Sequence, residues 1–239
     1  MTLKAVLFDM FDTLAMINRE YNYYNPALIA MHQYLVSQGI EVSFEKFNTA
    51  YIEARDALYA EAEANLEEPH FNLRVSNALK KLSYNYDVSS PLVIEATGEF
   101  CAEFMKYVRI DPNTKSMLEM LHGKYKLGII SNFAIPECVF KLLNGDHLEE
   151  WFDVIVISGA VNKRKPSPEI FQSALKALGV SASETAFVGD TIDADVEGSK
   201  AVGMKSIYIE RREQKASEKF CPDQTIKTLK ELPLALERC

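Results

Sequence analysis

Leu3-Lys4-Ala5-Val6-Leu7-Phe8-Asp9-Met10-Phe11-Asp12-Thr13-Leu14 is the stretch whose reading decides the fold. Leu3 to Phe8 is a short apolar run without alternation, the pattern of a strand buried on both faces of a parallel sheet. Similar runs recur at Lys126 to Ile130, Val154 to Ile157, Ala186 to Val188 and Ser206 to Ile209. Helical patterns lie between them. Asn113 to His122 follows an Asp-Pro-Asn start signal, Pro168 to Leu178 stops at Gly179, and Asp193 to Val202 stops at Gly203. Strands alternating with helices of this length predict right-handed crossovers and an α/β fold, a Rossmann-like doubly wound parallel sheet.

The stretch that follows the first strand reads differently. Pro26 to Gln38, Phe44 to Ala64, Phe71 to Leu82 and Pro91 to Tyr107 all space their apolar residues helically, and Gly39, Pro69 and Ser89-Ser90-Pro91 separate them. No strand signal of comparable quality occurs there. The expected organisation is a core of residues 1–17 and 110–239 carrying a helical cap of residues 18–109. An insertion at the carboxyl end of the first strand suits a lid, because ligands of open α/β sheets bind at that edge.

Of 239 residues, 48% are hydrophobic and 25% charged, an ordinary globular composition, with a formal net charge of −8. No Lys/Arg run stands out, so neither a nucleic acid nor an anionic membrane is expected as a partner. The N-terminal run ends at an Asp without a small-residue cleavage site and does not read as a signal peptide. Cys101, Cys138, Cys221 and Cys239 lie far apart with no Cys-x-x-Cys pair. That spacing argues against a zinc site or a disulfide framework and for a reducing, cytoplasmic setting. His32, His70, His122 and His147 show no metal-ligand spacing.

Four segments fall at predicted strand ends: Phe8 to Leu14, Ile129-Ile130-Ser131-Asn132, Lys165-Pro166, and Val188-Gly189-Asp190-Thr191-Ile192-Asp193-Ala194-Asp195. In a parallel sheet all carboxyl ends face one edge, so these residues can converge there. Singly, each has a bland reading: a strand-ending Asp or Ser caps a helix, and a Lys-Pro pair is a loop charge beside a turn. Together they assemble several carboxylates, a hydroxyl and an ammonium. That set suits a hard divalent cation, an anionic small-molecule substrate and a carboxylate nucleophile.

In their order, and with the helical insertion between the first and second, these segments resemble motifs I to IV of the haloacid dehalogenase superfamily. The likeness reaches to Gln224 to Leu232, similar to the family's closing strand and helix. The resemblance implies hydrolase chemistry in which Asp9 is the nucleophile, attacking a phosphoryl or alkyl centre. It further implies that Thr13 orients Asp9, and that Ser131, with Asn132 beside it, and Lys165 orient and neutralise the transferred group. Asp190 and Asp195, with Asp9 and the Phe11 carbonyl, would hold Mg²⁺.

Phe11 departs from the pattern. Phosphatases of this superfamily carry a second Asp there, which protonates the leaving alcohol and then activates water; a phenyl ring does neither. Asp12 projects from a different side of the chain and reads as structural. An aromatic residue at this place, and Asn132, resemble the 2-haloacid dehalogenases, whose leaving halide needs no proton. Against that stand the acidic fourth motif, Phe171 where those enzymes have Tyr, and the lack of an Arg about thirty residues past the nucleophile, although Arg19, Arg55 and Arg74 are candidates by another geometry. The expected activity is Mg²⁺-dependent hydrolysis of a small phosphorylated metabolite through an aspartyl-phosphate. It would be modest, and would favour activated leaving groups or draw an acid from the cap. A 2-haloacid dehalogenase and a non-catalytic binding protein are the alternatives. Tyr21, Tyr23, Tyr24, Arg55, His70, Asn72 and Arg74 are the cap residues that could face the site.

Overall fold

The first strand, β1 (Ala5–Phe8), holds four apolar residues with no exposed surface, so it has no water-facing side and takes the centre of a sheet. It pairs in parallel with β4 (Lys126–Ser131) on one flank and β6 (Thr185–Gly189) on the other. β5 (Val154–Ile157), β7 (Lys205–Ile209) and β8 (Gln224–Ile226) complete a six-stranded parallel sheet in the order β5-β4-β1-β6-β7-β8. A short antiparallel ribbon of β2 (Ala15–Ile17) and β3 (Val108–Ile110) lies beside it. The computed structural model describes residues 2–20, 22–214 and 219–239.

Alternate residues of β1 enter different cores, as the period of two requires. Ala5 and Leu7 face the core built on α8 (Pro168–Leu178). Val6 and Phe8 face the other, which takes in α5 (Thr114–Leu121), α6 (Pro136–Gly145) and α10 (Leu232–Glu237). Helices on both faces are the doubly wound arrangement expected. Two four-residue helices, α7 (Ser158–Val161) and α9 (Gly198–Ala201), complete the core connections.

Residues between β2 and β3 form α1 (Tyr24–Ser37), α2 (Phe44–Ala62), α3 (Phe71–Lys81) and α4 (Pro91–Met105). Their starts are chemically marked. Ser43 and Ser90 accept hydrogen bonds from Lys46 N–H and Val93 N–H, and Pro91 sits in the first turn of α4 where its missing N–H costs nothing. Val93, Ala96, Phe100 and Phe104 make the buried stripe of α4, and burying each phenyl stabilises the fold by about 1.5–3 kcal/mol. That stripe is continuous with Val6, Phe8 and Met10 of the sheet core. The Asn65–Phe71 loop is tied down by backbone groups, with Arg164 N–H donating to Leu66 O (2.9 Å) and Phe71 N–H to Ala134 O (2.9 Å).

Two expectations need correction. The helix expected over Asp193 to Val202 instead starts with a wide turn at Ile192–Glu197, followed by α9. Asp195 N–H and Val196 N–H both reach Thr191 O, at 2.8 and 3.3 Å, while Asp195 Oδ2 accepts from Thr191 N–H at 2.9 Å. The extra residue in the turn swings Asp195 back toward the strand ends, as such bulges often do at functional sites. The cysteine reading also fails in part. Cys101 of α4 and Cys138 of α6 form a disulfide, with Cα atoms 5.7 Å apart, because the helical segment folds back onto α6. Cysteine usage therefore does not argue for a reducing compartment. No helix of the described residues is long and apolar enough to cross a membrane.

The helical segment carries its own buried ion pair. Arg74 Nη2 lies 3.2 Å from Glu68 Oε1 and donates to Tyr59 OH at 2.6 Å, and its guanidinium stacks over the Tyr59 and Phe71 rings. Arg74→Ala leaves Glu68, whose side chain is 6% exposed, with Tyr59 and the more distant Arg164 as its remaining partners. Denaturant unfolding is expected to show a loss of about 1–3 kcal/mol, the cost of a buried acceptor losing one partner.

Candidate active site

The chain steps outward from β1 through β4 to β5, then returns across β1 to β6. The carboxyl end of β1 is thus the switch point where neighbouring loops part and leave room for a ligand. Asp9 follows β1 directly, its N–H bonded to Val188 O at 2.8 Å. Ser131 ends β4, Lys165 lies just before α8, and Asp190 follows β6. Lys165 Nζ sits 2.5 Å from Asp9 Oδ1 and 2.7 Å from Asp195 Oδ1, with the Phe187 ring beneath it at 5.1 Å. Asp9, Asp190 and Asp195 each bring a carboxylate oxygen within 4.8 Å of the others, and all three are buried.

The remaining sequence candidates divide by role. Thr13 Oγ1 donates to Asp9 Oδ2 at 3.4 Å and so aims the carboxylate. Asn132 does not reach Asp9. Its amide grips the Lys165 backbone twice, Nδ2 to the carbonyl at 2.9 Å and Oδ1 from the N–H at 2.7 Å, which makes it a positioning residue. Ser131 Oγ is buried with no hydrogen-bond partner among the described residues, an orphan that a substrate oxygen would satisfy. Gly189 is required by close approach, because a Cβ there would overlap the Asp195 carboxyl group.

Negative charge is in excess at this edge. Burial, with Asp195 and Asp190 adding to it, pushes Asp9 up to about 7 although Lys165 pulls the other way. Burial and Asp195 push Asp190 up to about 6 against the pull of Arg212. For Lys165 burial favours the neutral amine, but Asp195 and Asp9 outweigh it and hold the ammonium above its ordinary value.

A second ring of charge was not anticipated from sequence. Arg212 bridges Asp12 Oδ2 and Asp190 Oδ2, at 2.9 Å each. Gln214 donates to Asp190 O and accepts from Ile192 N–H. Arg211 holds Thr13 O (3.1 Å) and Asp111 Oδ2 (2.7 Å). The signal for them is present in the chain, since Glu210-Arg211-Arg212-Glu213-Gln214 follows an apolar strand and so falls at the same edge. Asp12, held at φ 60°, accepts from Ile17 N–H, Arg19 and Arg212. It braces the loop and is turned away from acid–base work at Asp9.

Phe11 and Asn132, neighbours in sequence of Asp9 and Ser131, border a cavity of about 330 Å³ that runs under the helical segment. Phe11 packs against Phe133 (4.7 Å between centroids) and Phe104 (5.8 Å). Tyr23, Tyr24, Arg19 and Arg74 line the cavity, as does Arg164, which sequence reading missed. Arg55 instead pairs with Asp56. His70 bonds Glu137, and Asn72 bonds the Val88 carbonyl, both on a separate groove. Tyr21 lies outside the described residues. Phe171 is fully buried against Phe187 and is a core residue.

Residues 3–203 match the haloacid dehalogenase-like hydrolase family. The chain is 30% identical to glyceraldehyde 3-phosphate phosphatase of Pyrococcus abyssi over 86% of its length and 81% of that protein. Among solved structures, a HAD phosphatase from Thermococcus onnurineus superposes with a TM-score of 0.63 and 26% identity over 98% of both chains. A 2-haloacid dehalogenase from Pseudomonas syringae pv. Tomato DC3000 superposes with a TM-score of 0.78 over 99% of both chains, at 24% identity, a likeness of fold.

Two outcomes follow from this geometry. Asp9 and Asp190 hold protons more tightly folded, near 7 and 6, than unfolded, near 3.9. The stability they contribute is full below about pH 4 and is lost as pH rises through 6 and 7. In EDTA the wild type should therefore lose melting temperature between about pH 5 and pH 8, and Asp9→Asn should lose less. Gly189→Ala should keep the far-ultraviolet circular dichroism while cutting turnover by about 10²-fold, because displaced catalytic groups lose their alignment.

Proposed function

Because the chain belongs to the haloacid dehalogenase-like hydrolases, we propose that it is a Mg²⁺-dependent phosphatase of small phosphorylated metabolites, acting through an aspartyl-phosphate on Asp9. The observation that carries this reading is the buried trio Asp9, Asp190 and Asp195 set against one ammonium, Lys165, and one shared guanidinium, Arg212, which also serves Asp12. Three carboxylates this close repel unless a cation compensates them. Among the described residues, Asp190 Oδ2 and Asp195 Oδ1 make no well-directed hydrogen bond and each meets a cation, Arg212 at 2.9 Å and Lys165 at 2.7 Å. An all-oxygen donor set with lone pairs still open fits a hard divalent cation. Asp9, Asp190 and the Phe11 carbonyl would hold it, with Asp195 directly or through water. Bound there, Mg²⁺ would neutralise the carboxylates and the phosphoryl oxygens.

The chain's own groups supply the rest. Thr13 fixes one Asp9 oxygen, leaving the carboxylate oriented for attack on phosphorus. Lys165 neutralises the charge that gathers on the phosphoryl oxygens, and Ser131 Oγ donates to one of them. Asn132 keeps Lys165 in register. The phosphatase names of the relatives support the same reading. The absence of nucleic-acid or anionic-membrane partners belongs to the proposal and rests on the acidic charge balance.

Phe11 favours one second reading, a 2-haloacid dehalogenase. That reading leaves the acidic trio without a task, and Phe171, buried in the core, has no hydroxyl to offer. The two are separated by assaying phosphate release from a panel of phosphate compounds with and without Mg²⁺, alongside halide release from 2-chloropropionate. Mg²⁺-dependent phosphate release is expected, abolished by Asp9→Asn and cut by Lys165→Ala by about 10² or more. Metal-independent halide release would overturn the proposal.

A further inference from the structure

The proposed reaction makes a proton demand that Phe11, standing where a carboxylic acid would serve it, does not meet. Attack by an Asp9 oxygen on phosphorus breaks the bond to the leaving oxygen, which departs with the bonding pair. An alkoxide must be protonated as it leaves, since its conjugate acid is about as weak an acid as water. A carboxylate, whose acid has a pKa of about 4, leaves as it is.

The leaving group lies across the phosphorus from Asp9, toward the cavity under the helical segment. Phe11, Phe104 and Phe133 form an aromatic wall there. Among the described residues no histidine and no lysine lines that cavity, and Glu68 is its one carboxylate. Glu68 is an acceptor in each of its contacts, from Arg74 (3.2 Å) and Tyr59 (3.4 Å), and it faces Arg164 at 3.8 Å. Tyr24 OH is paired with Tyr51 OH at 2.7 Å and Tyr59 OH with Arg74 and Glu68. The Tyr23 ring packs edge-on to Phe104, and a phenol is a weaker acid than the carboxylic acid that Phe11 replaces. Arg19, Arg74 and Arg164 keep their protons at any working pH.

We infer that this site acts on phosphoryl donors whose leaving group departs as a stable anion, mixed carboxylic–phosphoric anhydrides (acyl phosphates) above all, and is slow on alkyl phosphate monoesters. The inference rests on the phosphatase reading above. The first step turns an acyl phosphate and the Asp9 carboxylate into a free carboxylate and the aspartyl-phosphate, with no proton moved. Water then attacks the aspartyl-phosphate and restores the Asp9 carboxylate, releasing dihydrogen phosphate whose own oxygens take up the water's proton. The Arg19 and Arg164 guanidiniums on the cavity wall suit a departing carboxylate.

The test uses the full chain with Mg²⁺, taking the difference between wild type and Asp9→Asn as the enzymatic rate. Acetyl phosphate, a series of substituted aryl phosphates and glycerol 1-phosphate are compared by kcat/KM. The aryl series should fall steeply with leaving-group basicity. Acetyl phosphate should exceed glycerol 1-phosphate by at least about 10²–10⁴-fold, the worth of the missing general acid. Phe11→Asp should raise glycerol 1-phosphate turnover and narrow that ratio, whereas Phe11→Asn should not. A flat aryl series overturns the inference and leaves the phosphatase reading standing. So does a Glu68→Gln or a Tyr23→Phe variant that loses alkyl but not aryl turnover, which would make that residue the acid. No Asp9-dependent phosphate release from any compound overturns both.

Discussion

One buried ammonium organises the carboxyl edge of the sheet. Lys165 Nζ stands between Asp9 and Asp195, within 2.7 Å of each, and without it those two carboxylates would lose the ammonium they share, leaving only the Arg212 contact on Asp190 as a counter-charge within the trio. Burying an ionised carboxylate alone is costly enough that the group takes up a proton instead. Burial first, and then the neighbouring carboxylates, raise the pKa of Asp9 and Asp190 against the pull of Lys165 and Arg212. The fold gives Lys165 more support than its own side chain supplies. Asn132 clamps its backbone from the end of β4, and the Phe187 ring lies under the charge. The start of α8 at Pro168, with Ser167 as its cap, fixes the loop beyond.

A second constraint works outward from Asp12. Its left-handed backbone turns the carboxylate away from Asp9 and toward Arg19 and Arg212. Arg212 also reaches Asp190, so the loop after β1 and the loop after β6 are stitched together through one guanidinium. This explains how the first loop tolerates Phe at position 11. Its shape is set by Asp12, Arg211 and Arg212, and the ring is free to seal the boundary between core and helical segment against Phe104 and Phe133. On the proposed reading, the same packing that secures the two parts deprives the leaving group of an acid.

Much of this was legible beforehand because it depends on local pattern. Unbroken apolar runs ending in Asp, Ser or Gly-Asp identify parallel strands and their shared edge, where Asp9, Ser131 and Asp190 fall; Lys165 and the grouping of the set come from the resemblance to the superfamily's motifs. The four helices between Phe8 and Asp111 are legible from spacing and caps. Less was legible where the outcome depends on contacts between distant segments. The wide turn at Ile192–Glu197 looks like an ordinary helix start in sequence. The three-residue strands Ala15–Ile17 and Val108–Ile110 are too short to carry a periodic signal.

The sequence by itself determined the alternation of strands and helices, the place of the insertion, and which residue types reach the carboxyl edge, because hydrophobic period and chain direction are local properties. Only the tertiary structure decided the roles within that set. It bound Asn132 to the Lys165 backbone, committed Asp12 to two arginines, left Ser131 Oγ without a partner among the described residues and paired Cys101 with Cys138. Those outcomes depend on distances of a few ångströms between segments far apart in the chain, which packing sets and no single stretch of sequence encodes.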